Sequence, residues 1–275
     1  MKTQAQKALA FRALHQREGA FIIPNPWDAG TAKLLAASGF EALATTSLGA
    51  SSALGRPDGA GAVSRAELIA NCAAIAAATE LPVSADLENG YAHEPRAAAE
   101  IIRLAAQAGV VGGSIEDSSG DEKNPILDFN LSVERVQAAV EVARSVGFPF
   151  VLTARAENFV RGKPDLDDTI SRLQAYEKAG ADVLMAPGLP DLESVRRVCA
   201  ALSKPFNFMA GIKGKSFSVA ELQAAGVRRI SLATSLWRMA MSGAIEAARE
   251  VKEKGSFGFL DRSLGTPDIS KFMRD

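Results

Sequence analysis

Residues 178–187 read Lys-Ala-Gly-Ala-Asp-Val-Leu-Met-Ala-Pro, and this stretch decides the fold. A helical run ends at a small residue and a glycine, and a short apolar run follows at once. A glycine directly after a helix adopts the left-handed conformation that closes the last turn. The same joint recurs at three other places: Ser38-Gly39-Phe40, Ala108-Gly109-Val110 and Ala225-Gly226-Val227. The repetition predicts that helices and strands alternate along the chain.

Short apolar runs and amphipathic runs alternate eight times. The predicted strands are 20–25, 41–47, 81–88, 112–117, 150–157, 181–187, 205–210 and 228–234. The predicted helices are 28–38, 64–79, 94–108, 132–146, 166–179, 192–202, 219–225 and 235–254. Eight consecutive pairs indicate an α/β fold whose parallel strands close into one (β/α)8 TIM barrel. No low-complexity linker divides the chain, so we expect a single barrel domain over residues 1–275, with a helix and tail at 235–275.

The composition excludes several classes of function. Of the 275 residues, 47% are hydrophobic and 23% are charged, and the formal net charge is −1. This balance argues against a nucleic-acid-binding surface, and no apolar run approaches the ~18 residues of a membrane span. Residues 1–19 lack the apolar segment of a signal peptide, so we expect a cytoplasmic protein. With only two histidines and two cysteines, a zinc site is not expected.

Acidic side chains follow two neighbouring predicted strands. Asp86 and Glu88 lie two residues apart at the end of the third strand, so period-two geometry points both carboxylates the same way. Glu116 ends the next strand and can approach them. Three carboxylates at one barrel mouth repel each other unless a cation joins them, and an all-oxygen site suits Mg²⁺ or Mn²⁺. The alternative is that these acids form structural salt bridges with Arg155 and with lysines.

Two further polar residues and two long loops lie at the same end of the predicted barrel. Arg155 follows an apolar strand and needs an anion, which is either a neighbouring acid or a substrate carboxylate. Asn207 lies on the seventh strand, where it can contact a substrate. The joints at 48–63 and 118–131 are long, and the second is predicted to be a lid over the mouth.

Several motifs in order resemble the isocitrate lyase and phosphoenolpyruvate mutase superfamily. The matching stretches, between Phe21 and Leu236, are Pro26-Trp27-Asp28-Ala29, Gly55-Arg56-Pro57-Asp58, Ser84-Ala85-Asp86-Leu87-Glu88-Asn89-Gly90-Tyr91, Ser114-Ile115-Glu116-Asp117 and Thr153-Ala154-Arg155. The resemblance implies a Mg²⁺-dependent barrel that makes or breaks C–C or C–P bonds of 2-oxo acids through an enolate. It also implies a homodimer or homotetramer in which a C-terminal helix is exchanged between subunits.

The resemblance also assigns residues to roles. Asp86, Glu88 and Glu116 match the acids of the metal site, and Arg155 matches a substrate-binding arginine. Asp58 matches an acid beside the metal. Two further residues fall where the family binds the substrate carboxylate, and these are Thr46 and Ser47.

One loop departs from the lyases of the superfamily. Isocitrate-type lyases carry a Lys-Lys-Cys-Gly-His motif after the fourth strand, whereas residues 118–125 here contain neither Cys nor His. This loss removes the acid that protonates the departing fragment, so isocitrate and methylisocitrate cleavage are not expected. The mutases of the superfamily use a lysine and an asparagine in this loop. Lys123 and Asn124 offer the same two side chains, but at adjacent positions in a shortened loop.

The expected reaction is therefore decarboxylation of an oxaloacetate-like acid, which needs no cysteine acid. Hydrolytic C–C or C–P cleavage, or phosphonomutase chemistry, is the alternative. A hypothesis from another functional class also stays open: the barrel binds a small carboxylate and catalyses no reaction.

Overall fold

The computed structural model describes residues 2–58, 61–215 and 217–273. Eight parallel strands form one sheet in the order β1-β8-β7-β6-β5-β4-β3-β2. The strands are β1 Phe21–Ile23, β2 Leu43–Ala44, β3 Val83–Asp86, β4 Gly112–Glu116, β5 Val151–Arg155, β6 Val183–Met185, β7 Phe206–Met209 and β8 Arg229–Ser231. The N–H of Ala44 donates to the carbonyl of Pro24 at 3.0 Å, which joins the two edges of the sheet. The predicted TIM barrel is confirmed.

The helices alternate with the strands as predicted. Within the described ranges they are α1 Gln4–Gln16, α2 Ala29–Ala37, α3 Ser47–Ala53, α4 Arg65–Ala77, α5 Pro95–Gln107, α6 Phe129–Ser145, α7 Leu166–Lys178, α8 Leu192–Ala200, α9 Val219–Ala224, α10 Ser235–Lys254 and α11 Thr266–Lys271. A 3-10 helix covers Gly258–Arg262. None of the helices that the structure describes is long and apolar enough to cross a membrane.

The glycine joints have the backbone that the sequence predicts. Helix α7 ends at Lys178 and Gly180 follows with a φ of 106°. The three other joints also place a glycine in the left-handed region, and these are Gly39, Gly109 and Gly226. Each returns the chain directly to the next strand, so the loops at this end are short and the long loops lie at the other end.

Two helices depart from the predicted pattern. Helix α1 precedes the first strand, and its N-cap Thr3 forms a capping box with Gln6. Helix α3 begins at Ser47, which the sequence assigns to the second strand, so the prediction of strand 41–47 is wrong beyond Ala44. The Ala, Ser and Gly residues of α3 show no clear hydrophobic periodicity, so the sequence does not indicate a helix there.

Helix α1 covers the amino-terminal end of the barrel. Phe11 and His15 pack edge-on against each other and against Phe21 of β1. His15 Nδ1 donates to the Phe11 carbonyl at 2.8 Å, and its Nε2 lies 3.4 Å from Nη1 of Arg229. Burial and the neighbouring Arg229 charge lower the pKa of His15 to about 3. The imidazole is therefore a neutral part of the core at physiological pH.

Candidate active site

One cavity of about 330 Å³ lies at the carboxyl end of the strands. It is lined by eight of the ten site residues that the sequence predicts, namely Thr46, Ser47, Asp58, Asp86, Glu88, Glu116, Arg155 and Asn207. A second cavity of about 610 Å³ lies at the opposite end, beside His15 and Phe148. The smaller cavity is the candidate active site, because the polar joints of the barrel converge on it.

Asp86 ends β3 and is fixed by the end of β2. Its backbone N–H donates to Oγ1 of Thr45 at 2.9 Å, and its Oδ2 accepts from the N–H of Ser47 at 3.1 Å. Oδ1 is buried and has no hydrogen-bond partner in the part of the chain that the structure describes. It lies 3.7 Å from Nη1 of Arg155. A buried carboxylate oxygen without a hydrogen bond is costly, so this atom is suited to bind a cation.

Glu88 reaches the cavity by a route that the sequence did not predict. Strand β3 ends at Asp86, and Glu88 has a left-handed φ of 49°, so period-two strand geometry does not place this residue, although its side chain lines the same cavity as Asp86. The carboxylate accepts from the hydroxyl of Tyr91 at 2.5 Å. Burial raises the pKa of Glu88 to about 7, and Asp86 and Asp58 act in the same direction. The strained backbone is typical of functional positions.

Glu116 and Arg155 end neighbouring strands in register. Nη1 of Arg155 lies 3.1 Å from Oε2 of Glu116, and Nη2 of Arg161 lies 3.2 Å from its Oε1. Burial raises the pKa of Glu116, while Arg155 opposes this shift. Glu116 thus forms the salt bridge with Arg155 that the alternative prediction expects, and a second one with Arg161.

Glu157 holds Arg155 from the other side. Its fully buried carboxylate accepts from Nε of Arg155 at 2.5 Å and from Nε of Arg161 at 3.1 Å. Burial lowers the pKa of Arg155, but the charges of Glu116, Glu157 and Asp86 raise it well above its ordinary value. The guanidinium is therefore a permanent positive charge among acids. Glu157 is one of the neighbouring acids that the sequence offers as a partner for Arg155, whereas Arg161, which also follows β5, was not predicted.

The acids do not form a ready cage for a metal. In the described ranges, no group of three Asp, Glu, His or Cys side chains is close enough to hold one ion. A site in which Asp86, Glu88 and Glu116 all coordinate directly is therefore not what the structure contains. Oδ1 of Asp86, which accepts no hydrogen bond within these ranges, and the all-oxygen surroundings fit Mg²⁺, which binds through few carboxylates and keeps several waters.

Lys123 and Asn124 lie outside the lining of the cavity. Both are exposed. The backbone N–H of Lys123 donates to the carboxylate of Asp121 at 2.9 Å, and the side-chain amide of Asn124 donates to the same carboxylate at 3.4 Å. The 118–131 loop folds on itself, with a bridge between Ser118 and Ile126. The structure thus does not bring these two residues together with the other predicted site residues.

Asn207 and Arg229 form the floor of the cavity. Asn207 is completely buried, accepts from Nε of Arg229 at 2.9 Å and donates to Oγ of Ser231 at 3.1 Å. Arg229 was not predicted as a site residue, because Arg228-Arg229 at the start of a strand is a pattern typical of a solvated edge. Asn207 of β7 lies directly opposite Arg229 of β8, so both side chains face the same side of the sheet.

The chain is similar over most of its length to known proteins. A family model described as phosphoenolpyruvate phosphomutase matches residues 11–252. The solved structure of a provisionally assigned lyase/mutase of Burkholderia cenocepacia is 51% identical, with a TM-score of 0.96 and coverage of 99% of this chain and 97% of that one. An oxaloacetate decarboxylase of Ectopseudomonas mendocina is 28% identical over 202 residues, 71% of this chain and 67% of the relative. A 2,3-dimethylmalate lyase of Eubacterium barkeri is 28% identical over 228 residues, 80% of this chain and 77% of the relative.

Proposed function

The chain belongs to the phosphoenolpyruvate phosphomutase family, and from this premise we propose that it is a Mg²⁺-dependent enzyme that cleaves a carbon–carbon bond of a small 2-oxo acid. The proposed reaction is decarboxylation of oxaloacetate through an enolate. The observation that carries the proposal is the buried Oδ1 of Asp86, which accepts no hydrogen bond from the residues that the structure describes and lies 3.7 Å from the Arg155 guanidinium. The likeness to an oxaloacetate decarboxylase supports the choice of substrate.

Asp86 would hold the ion, with Glu88 and Glu116 binding its waters. When bound, Mg²⁺ would supply positive charge beside the carboxylate and oxo oxygen of the substrate; Mn²⁺ suits the same oxygen ligands. These two roles of the acids follow from the resemblance, and the burial of Glu88 and Glu116 supports them. A bound cation would also offset the repulsion that raises the pKa of Glu88.

The other residues of the cavity bind the substrate and stabilise charge. Thr46 and Ser47 would hold the first carboxylate, and Asn207 would contact the substrate from below. The bond between the third carbon and its carboxylate breaks, CO₂ leaves, and the electron pair moves to the oxo oxygen. Arg155, held rigidly by Glu157, would stabilise this developing charge. Asp58 would then deliver a proton to the third carbon, and Lys123 and Asn124 would close the mouth with the 118–131 loop.

Turnover of oxaloacetate is the direct test. We expect the purified protein to release pyruvate and CO₂ with Mg²⁺, to lose this activity in EDTA, and to regain it when Mg²⁺ is restored. Because Mg²⁺ alone decarboxylates oxaloacetate slowly, the rate is measured above a protein-free blank of the same composition. Turnover that persists in EDTA would contradict the proposal.

The products separate decarboxylation from the hydrolytic alternative. Hydrolysis of the same substrate consumes water and yields oxalate and acetate in place of pyruvate and CO₂. Phosphonopyruvate, tested in parallel, reports C–P cleavage by release of phosphate. Binding of these acids without any turnover would favour a non-catalytic barrel.

The C-terminal region supports the proposed homodimer or homotetramer. Helix α10 has no buried residue, and Ile245 is 51% exposed. Apolar residues of the tail are also exposed, including Phe257 (59%), Leu260 (60%) and Leu264 (63%). An apolar surface of this kind is typical of a subunit contact. We propose that it packs on a neighbouring copy of the chain, with α10 exchanged between subunits.

Sedimentation velocity tests this assembly. We expect the full chain to sediment as a dimer or tetramer and the Ile245→Glu variant to shift toward the monomer, because a carboxylate would be buried at the contact. Ile245→Met, which keeps the apolar contact, should sediment like the wild type. A monomeric wild type would refute the proposed assembly.

A further inference from the structure

Arg229 is a buried cation whose hydrogen-bond partners are all neutral. Its side chain donates to Oδ1 of Asn207 at 2.9 Å and to Oγ1 of Thr153 at 3.0 Å, and it lies 3.4 Å from Nε2 of His15. The residue is 3% exposed. In the described part of the chain, no carboxylate forms a salt bridge with it. Arg155, by contrast, is surrounded by Asp86, Glu116 and Glu157.

His15 supplies no negative charge either, because it faces Arg229 as a neutral imidazole. Its Nδ1 faces the Phe11 carbonyl, so Nε2 is the lone-pair side that faces Arg229. Burial lowers the pKa of Arg229 to about 9, and none of the acids of the cavity counteracts this shift. Arg229 therefore stays charged at neutral pH without a nearby negative partner.

Arg229 also lines the cavity, on the floor beside Asn207 and Ser231. A guanidinium has five N–H groups. Among the residues that the structure describes, the neutral partners above engage three of them, so two are left for a ligand or its water. An uncompensated charge inside a protein is costly, and a bound anion removes this cost. The floor of the cavity carries the positive charge of Arg229, whereas the mouth carries several acids together with Arg155. The two ends therefore differ in charge.

We propose that Arg229 is a specificity-determining residue that selects dianionic acids over monoanionic ones. The first carboxylate of the ligand binds at the mouth, and the second anionic group faces the positive floor. This inference deepens the proposed function, because it assigns the substrate class of the same site. It depends on binding in the cavity and not on turnover.

Two non-reacting acids of almost equal shape test the proposal. Malate carries two carboxylates, and 2-hydroxybutyrate has a methyl group in place of the second one. Isothermal titration at saturating Mg²⁺ should show that the wild type binds malate at least about 30-fold more tightly than 2-hydroxybutyrate, a ratio typical of a close charge pair. Arg229→Met should reduce this ratio to under about threefold and leave 2-hydroxybutyrate binding unchanged, because only the second carboxylate loses its partner charge.

Two further variants separate charge from structure. Arg229→Lys keeps the positive charge and should retain a preference of at least about tenfold. Arg12→Met removes an exposed arginine near the other end of the barrel and should retain the wild-type ratio. A loss of affinity for both acids in Arg229→Met, with the ratio unchanged, would overturn the proposal and indicate a structural role.

Even if Arg229→Met does not fold, the wild type alone can refute the proposal. Equal affinity for the two acids, or binding of neither, would overturn the inference. A wild type that prefers malate but does not turn over oxaloacetate would refute the proposed decarboxylation and leave the role of Arg229 intact.

Discussion

Replacing Asp86 by asparagine is expected to lower kcat/KM for oxaloacetate by about 10³-fold, the largest effect on activity that we predict. Asparagine keeps the shape of the side chain, and its amide oxygen can still accept from the N–H of Ser47. The change removes the negative charge and replaces one carboxylate oxygen, so Oδ1 is no longer available to a hard cation. Steady-state kinetics at saturating Mg²⁺ measure the loss.

A second readout distinguishes metal binding from a defect in folding. Mn²⁺ binding, followed by electron paramagnetic resonance of the free ion, should be weakened in Asp86→Asn, while the melting temperature changes little. Asp167→Asn is the matched control, because Asp167 is 86% exposed on α7 and pairs only with Arg197 in the described structure. We expect this control to keep wild-type turnover. Activity of Asp86→Asn within tenfold of the wild type would refute the assignment.

The placement of Asp86 could be predicted because barrel geometry is general. The carboxyl ends of parallel strands meet at one end of a TIM barrel, so polar residues at those positions converge whatever the loops do. The same reasoning correctly placed Glu116, Arg155 and Asn207 on the lining of one cavity. The repeated glycine joints indicate where each strand begins. They therefore also indicate that the site lies at the opposite, carboxyl end of the strands.

The details beyond the strand ends could not be predicted. Glu88 lies in a left-handed turn, because β3 stops at Asp86 and the chain bends through Gly90 toward Tyr91. Period-two geometry fails once the strand has ended. Whether Lys123 and Asn124 reach the cavity depends on the fold of the 118–131 loop, which local hydrogen bonds to Asp121 determine.

Two arginines were missed for a different reason. Both lie in sequence patterns in which arginine is usually exposed, yet Arg229 is buried, and Arg161, although 41% exposed, pairs with Glu116 and Glu157. Their direction depends on the register of β8 and on the turn after β5, which a single sequence does not specify. Helix α1 was not predicted, although Thr3 and Gln6 form a capping box, which is a sequence signal for the start of a helix.

The second large prediction concerns stability in acid. His15 has an unperturbed pKa of 6.5 and a folded-state pKa of about 3, because it is buried beside Arg229. The unfolded chain therefore binds a proton at this site at a higher pH than the folded chain does. The stabilisation is fully present above pH 6.5 and is lost progressively as the pH falls toward 3. The free energy of unfolding should fall by about 2 kcal/mol between pH 8 and pH 5 from this one group.

Urea unfolding at several pH values isolates this contribution. His15→Gln removes the titrating group and should be less stable than the wild type at pH 8, yet its free energy of unfolding should decline less steeply, by about 2 kcal/mol less between pH 8 and pH 5. His93→Gln is the matched control, since His93 is the second histidine of the chain and is exposed. This variant should keep the wild-type slope. If His15→Gln and the wild type lose stability in parallel below pH 6.5, then His15 is not the neutral core residue that its hydrogen bonds to Phe11 and Arg229 indicate.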